Sequence, residues 1–206
     1  MSNPDLFVIS AASGAGKTTL IRGLLERVGG MDFSVSYTTR PKRQGERDGV
    51  DYHFVEEDRF DRMVSDRDLL EWATVHGRRY GTSARRVDEA LARGLDVLLD
   101  IDTQGARSVR ALRPGGVFIF IMPPDAATLE SRLRGRGGAA DEEIERRMGA
   151  ALAEMEQYVD YDYVVINRTL EEALGALEGI VMSRRLIRRR MDEDCRKVLE
   201  SFGGRR

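Results

Sequence analysis

Unbroken apolar runs recur along the chain at residues 6–9 (LFVI), 96–101 (DVLLDI), 117–122 (VFIFIM) and 163–166 (YVVI). Short runs without alternation predict strands buried on both faces of a parallel sheet. Between them the period becomes helical. Leu20, Ile21, Leu24, Leu25 and Val28 fall on one face of a first helix that Gly29-Gly30 closes. Further helices are predicted over 104–112, 126–133 and 141–159, and a last one begins near Leu170, with Leu174, Leu177, Ile180 and Val181 as its buried stripe. Strands alternating with amphipathic helices predict an α/β fold, a doubly wound parallel sheet of at least four strands.

The pattern breaks between residues 34 and 86. Residues 33–37 alternate like a short strand, 38–49 are charged and without period, and 50–55 read as another strand. A short helix around Phe60, a strand over 69–75, the segment 78–83 and a helix over 84–93 follow. With so little helix between them, these strands are expected to pair antiparallel, as a small mixed α+β subdomain inserted in the core. The expected division of the single domain 1–206 is a core of 1–33, 87–125 and 161–206, an inserted subdomain of 34–86 and a helical lid of 126–160.

Charge narrows the partners. With 33 basic and 35 acidic residues the formal net charge is −2, which argues against nucleic-acid binding by electrostatics, so any anion recognition must come from local clusters. Cys195 is the single cysteine and cannot form an internal disulfide. No run is long enough for a membrane span and no export signal precedes the first strand, so a cytoplasmic protein is expected. Monomer and homodimer both remain open.

The most informative stretch is SAASGAGKTT, residues 10–19, between the first strand and the first helix. Gly14 and Gly16 have no Cβ, so successive backbone N–H groups can turn onto an anion at the positive end of the helix dipole. Lys17 would reach the β- and γ-phosphates of a nucleoside triphosphate, and the Thr18 hydroxyl could ligate Mg2+. The pattern GxxxxGK(S/T) is matched except at its first position, where Ala11 stands.

Other clusters have less specific spacing. Asp100 and Asp102 lie at the carboxyl end of a buried strand, where they could hold magnesium through water, accept protons from a bound base, or cap a helix. Arg40, Arg43, Tyr52 and Tyr80 could bind a second, smaller phosphate, or simply be solvated. Arg132, Arg134 and Arg136, in an Arg- and Gly-rich segment, suit a mobile lid, or an exposed helix-loop-helix with charge pairing among Glu142, Glu143, Arg146 and Arg147. The run Arg184, Arg185, Arg188, Arg189 and Arg190 is expected to be the wet face of a helix.

Taken in order, SGAGKTT, SYTTRPKRQGERDGVDYHF, LEWATVHGRRYGTS, LLDIDTQG, RLRGRG with EEIERR, and VVIN resemble the guanylate kinase family from about Phe7 to Glu178. The resemblance implies a P-loop kinase core and an ATP-dependent phosphorylation of GMP, and of dGMP. It places ATP on Ser13, Gly14, Ala15, Gly16, Lys17, Thr18 and Thr19, with Asn167 near the adenine. The GMP pocket would be Ser36, Arg40, Arg43, Tyr52, Glu71, Tyr80, Thr82, Asp100 and Asp102. Lys17, Arg132, Arg136 and Arg147 would be the catalytic cations, and Mg2+ would sit on Thr18, with Asp100 reaching it through water.

Ala11, Thr82 and Gly138-Ala139-Ala140 depart from the family's usual Gly, Ser and Thr-Glu-Thr. Guanine's N1–H and N2–H₂ donors suit the Glu71 carboxylate, and its O6 suits the Ser36 and Thr82 hydroxyls. Two alternatives stand beside this reading. One is a guanylate-kinase-like scaffold that binds protein, and the other is a P-loop kinase acting on a different phosphorylated acceptor.

Overall fold

The structure, a computed structural model, describes residues 4–75, 77–135 and 140–203. Five parallel strands form the main sheet in the order β2-β7-β1-β8-β9, where β1 is Leu6–Ala11, β2 Met31–Phe33, β7 Asp96–Asp100, β8 Val117–Met122 and β9 Tyr163–Ile166. The apolar runs divide their side chains by a period of two. Phe7, Ile9, Leu98, Ile119 and Val165 pack under helices α1 (Lys17–Arg27) and α7 (Leu170–Arg185). Leu6, Val8, Val97, Leu99 and Phe118 pack under α3 (Ala84–Ala92) and α4 (Thr103–Leu112). The predicted doubly wound sheet is therefore present, with β2 as a strand the pattern did not assign to it.

A second sheet runs β4-β3-β6-β5, built from β3 (Tyr37–Thr38), β4 (His53–Phe54), β5 (Leu69–Val75) and β6 (Arg78–Ser83), with α2 (Glu57–Ser65) between β4 and β5. β5 and β3 pair antiparallel with β6 as expected, whereas β3 and β4 are parallel. The long loop between β3 and β4 carries the chain back to the starting end of β3 before the next strand begins. The strand expected over 33–37 divides in two. Phe33 closes β2 on the main sheet, the Ser34 amide still donates to Leu98, and Tyr37 opens β3 on the second sheet. The strand expected over 50–55 shrinks to two residues because the amides of Val50 and Asp51 both turn back onto the Arg47 carbonyl.

Helices α5 (Ala126–Arg134) and α6 (Asp141–Met155) share a small apolar cluster of Leu129, Leu133, Ile144 and Ala151 with Ala12. A 3-10 turn over Glu156–Asp160 replaces the last residues of the helix expected to reach 159. The basic run near the end is not a wet face. Arg190, in α8 (Arg188–Ser201), is 8% exposed and bridges Asp5 at 3.1 Å and Asp96 at 3.0 Å. Arg184 pairs with Asp5 and Arg185 with Asp96, so three of these arginines neutralise two buried carboxylates at the amino ends of β1 and β7. Arg188 keeps to the expected surface role, pairing with Asp192 one turn on.

Candidate functional site: a phosphate loop facing a carboxylate pocket

Between β1 and α1 the chain makes the predicted anion loop, and its two glycines are required for different reasons. Gly14 has φ +90°, and a Cβ there would stand 2.9 Å from Leu129 of α5. Gly16 has φ +97°, and a Cβ there would stand 2.5 Å from the Asn167 amide nitrogen. Both positions combine a left-handed backbone with close approach, so any other residue would distort the loop. Ala11 is the last residue of β1, inside regular strand, where alanine costs nothing. The first-turn amides of α1 have no intrahelical acceptor and face the loop, which suits an anion.

Three side chains from distant elements hold this loop. Asn167, buried beyond β9, donates to the Ala15 carbonyl at 2.8 Å. Arg132 of α5 donates to the same oxygen at 3.1 Å. Glu154 of α6 accepts from the Ser13 amide at 3.0 Å. Lys17 leans across the gap to Asp100, 2.6 Å away, and also donates to the Ile101 carbonyl.

Opposite the loop, the second sheet presents Glu71. It is 6% exposed and accepts from the Thr82 hydroxyl at 2.5 Å. Burial pushes its carboxyl up to about 7, with Asp102 adding to the rise and Thr82 opposing it. The carboxylate packs against the start of α4, where a Cβ on Gly105 would meet its Oε2 at 2.5 Å. Asp102 caps that helix by accepting from the Gly105 amide at 2.9 Å, so the capping alternative holds for it while its side chain also faces the cavity.

A cavity of about 320 Å³ is lined by Ser13 and Lys17 on one side and by Ser36, Tyr52, Glu71, Tyr80, Asp100 and Asp102 on the other. Tyr52 and Tyr80 meet edge to face, and burial raises the Tyr52 phenol to about 12, so its hydroxyl remains a proton donor near neutrality. Arg40 lies over the Tyr52 ring, its guanidinium 5.3 Å from the centroid, and forks onto both Glu46 oxygens at 2.7 and 3.0 Å. Glu46 is held below the usual carboxylate range by Arg40.

Not every expected residue converges. Arg43 is exposed on the loop, with its amide donating to Glu46. Thr82 is fully buried and its hydroxyl proton goes to Glu71, so in this form it holds the carboxylate and is not open to the cavity. Arg147 pairs with Glu143 on its own helix, and Thr18 and Thr19 are exposed at the start of α1. Arg136, with Gly138 and Ala139, lies outside the described residues.

Glu46, Gly105 and Glu154 were not singled out from the sequence. Glu46 could have been sought as the acid six residues after Arg40, but the other two contacts join segments too far apart in the chain to leave a local signal. The Thr18 hydroxyl and the two aspartates are hard oxygen donors. Among the described residues no group of three or more His, Cys, Asp or Glu could hold a metal. That donor set fits Mg2+, which keeps water and phosphate oxygens in its shell, and does not fit an ion needing an all-protein cage.

Comparison with known proteins shows the family and the fold. The guanylate kinase family profile matches residues 3–184. The chain is 50% identical to the guanylate kinase of Dechloromonas aromatica over 177 residues, covering 86% of this chain and 88% of that protein. It is 46% identical to that of Acinetobacter baylyi over 197 residues, covering 96% and 95%. The crystal structure of guanylate kinase from Anaplasma phagocytophilum superposes with a TM-score of 0.76 at 31% identity, over 100% of this chain and 98% of that one.

Proposed function

The chain belongs to the guanylate kinase family, an ATP:GMP phosphotransferase, and on that premise we propose which residues carry the reaction. The observation that supports the reading best is the single cavity lined by the phosphate loop on one side and the Glu71 pocket on the other. Two phosphorylated ligands entering from those sides would meet end to end.

ATP lies with its phosphates in the loop of residues 13–19, on amides other than that of Ser13, which Glu154 takes, and Lys17 leaves Asp100 for the β- and γ-oxygens. GMP places its base against Glu71, whose two oxygens accept from N1–H and N2–H₂, while Ser36 donates to O6. Its phosphate meets Tyr52, Tyr80 and Arg40, with Arg43 joining from the loop. An oxygen of the GMP phosphate then attacks the γ-phosphorus in line, the bond to the β,γ-bridging oxygen breaks, and ADP and GDP leave. That oxygen is already ionised near neutral pH, so no general base is needed and the protein's work is positioning and charge neutralisation. Arg132, Arg136 and Arg147 supply cations to the group in transfer. Mg2+, held by the Thr18 hydroxyl with Asp100 through water, would contribute further charge neutralisation when bound with ATP.

The test is an ADP-release assay with ATP and a panel of GMP, dGMP, AMP, UMP and CMP. GMP should be preferred over AMP on the order of 10³-fold, because adenine turns an N1 lone pair toward a buried carboxylate. Glu71→Gln should lose most GMP turnover while ATP binding survives. Equal use of GMP and AMP, or undiminished GMP turnover in Glu71→Gln, would defeat the assignment.

A further inference from the structure

Glu154 occupies an unusual place for an acid. Its carboxylate, half-buried on α6, accepts from the backbone amide of Ser13, in the loop that leads to the first-turn amides of α1. The contact spans 141 residues and, among the described residues, is one of two that bind the lid helices to this loop by hydrogen bonds, the other being that of Arg132 to the Ala15 carbonyl. Between them lies apolar packing, with Ala151 of α6 and Leu129 and Leu133 of α5 closing over Ala12.

Arg147 and Glu154 are seven residues apart on α6, two helical turns, so they share one face about 10 Å apart along the axis. Ala151 lies between them on that face and is completely buried against the loop cluster. A helix pinned at Glu154 and seated at Ala151 has little freedom to rotate, and rotation is the motion that would swing Arg147 off line. We infer that Glu154 is a positioning residue for phosphoryl transfer, which fixes α6 in register on the phosphate loop through Ser13 and thereby sets where Arg147 meets the transferring group.

The inference rests on the reading of the site given above. Steady-state kinetics with ATP and GMP on the full chain test both. Glu154→Ala should lower kcat/KM for ATP by about tenfold, the scale of one lost charge-assisted hydrogen bond, with KM for GMP changed less than about twofold. Glu154→Gln keeps an oxygen at the same reach and should recover activity to within about threefold of the unaltered chain. Glu154→Asp keeps the charge but falls one carbon short, so it should follow alanine, and it provides the comparison if Glu154→Ala does not fold. In an Arg147→Ala background the Glu154→Ala change should cost less than about threefold, because its effect acts through Arg147.

Three results would overturn the proposal: full activity of the Ala and Asp variants, a Gln variant no better than Asp, or a cost that multiplies with that of Arg147→Ala. Absence of GMP turnover in the unaltered chain overturns the parent reading with it. Normal turnover beside unaffected variants overturns this inference alone.

Discussion

Glu71 is held between two opposing influences. Its surroundings favour a proton, and its carboxyl stands at about 7 where an ordinary glutamate stands at 4.5, while a guanine ring offers two N–H groups that only the carboxylate can accept together. The folded chain therefore keeps a proton between pH 4.5 and 7 that the unfolded chain has lost. The stability this group contributes is full below the lower value and declines by roughly 3 kcal/mol as pH rises through the upper one. In the proposed pose GMP would have to displace that proton, so KM for GMP should rise as pH falls from about 8 to about 6. The GMP phosphate titrates in the same range, with a second pKa of about 6. The comparison that isolates Glu71 is Glu71→Gln, which should retain only the shallower phosphate dependence. Identical pH profiles for the two proteins would disprove the role.

At the scale of elements, local pattern was a good guide wherever an element buries its own stripe. The strands at 69–75, 117–122 and 163–166 match their predicted bounds because each is a run dense in apolar residues. Met31–Phe33 did not stand out, since it has three half-buried residues and its strand character comes from pairing with β7, which lies more than sixty residues on. The terminal arginines misled for a similar reason. Composition shows their charge, but Asp5 and Asp96, which bury it, belong to other parts of the chain.

The phosphate loop was legible because its chemistry is local, Glu71 only through the family resemblance, and the braces Glu154 and Gly105 not at all, because their contacts join distant segments. Removing Arg190 leaves two buried carboxylates short of a partner, so Arg190→Ala should cost on the order of 3 kcal/mol of stability. The network sits at the amino ends of the strands and the cavity lies beyond their carboxyl ends. Turnover below the melting transition should therefore be nearly unchanged. A melting temperature within a degree or two of the parent would contradict the account.

Across the whole molecule, the two sheets are joined by a narrow seam. Leu70 of β5 packs into the same apolar cluster as Val8, Leu99 and Val109, so the Glu71 pocket is anchored to the core by the residue beside it. The chain crosses between the sheets around residues 34–36 and again where β6 leads into α3, and these crossings are where bending would concentrate. Water is the competing acceptor, and closure that depends on both nucleotides would suppress it. Small-angle scattering with a bisubstrate analogue should show contraction relative to the free protein, and superposable profiles would argue against closure.

The fork between Arg40 and Glu46 also bears on selectivity. An ion-exchange resin loaded with a tightly held counterion releases it preferentially to a species of higher valence, and this arginine is loaded in the same way. Chloride or another singly charged solute gains too little to dislodge the glutamate. On the proposed reading a doubly charged phosphate ester, steadied by Tyr52 and Tyr80, would gain enough, so the acceptor side would sort solutes by valence before any base is read.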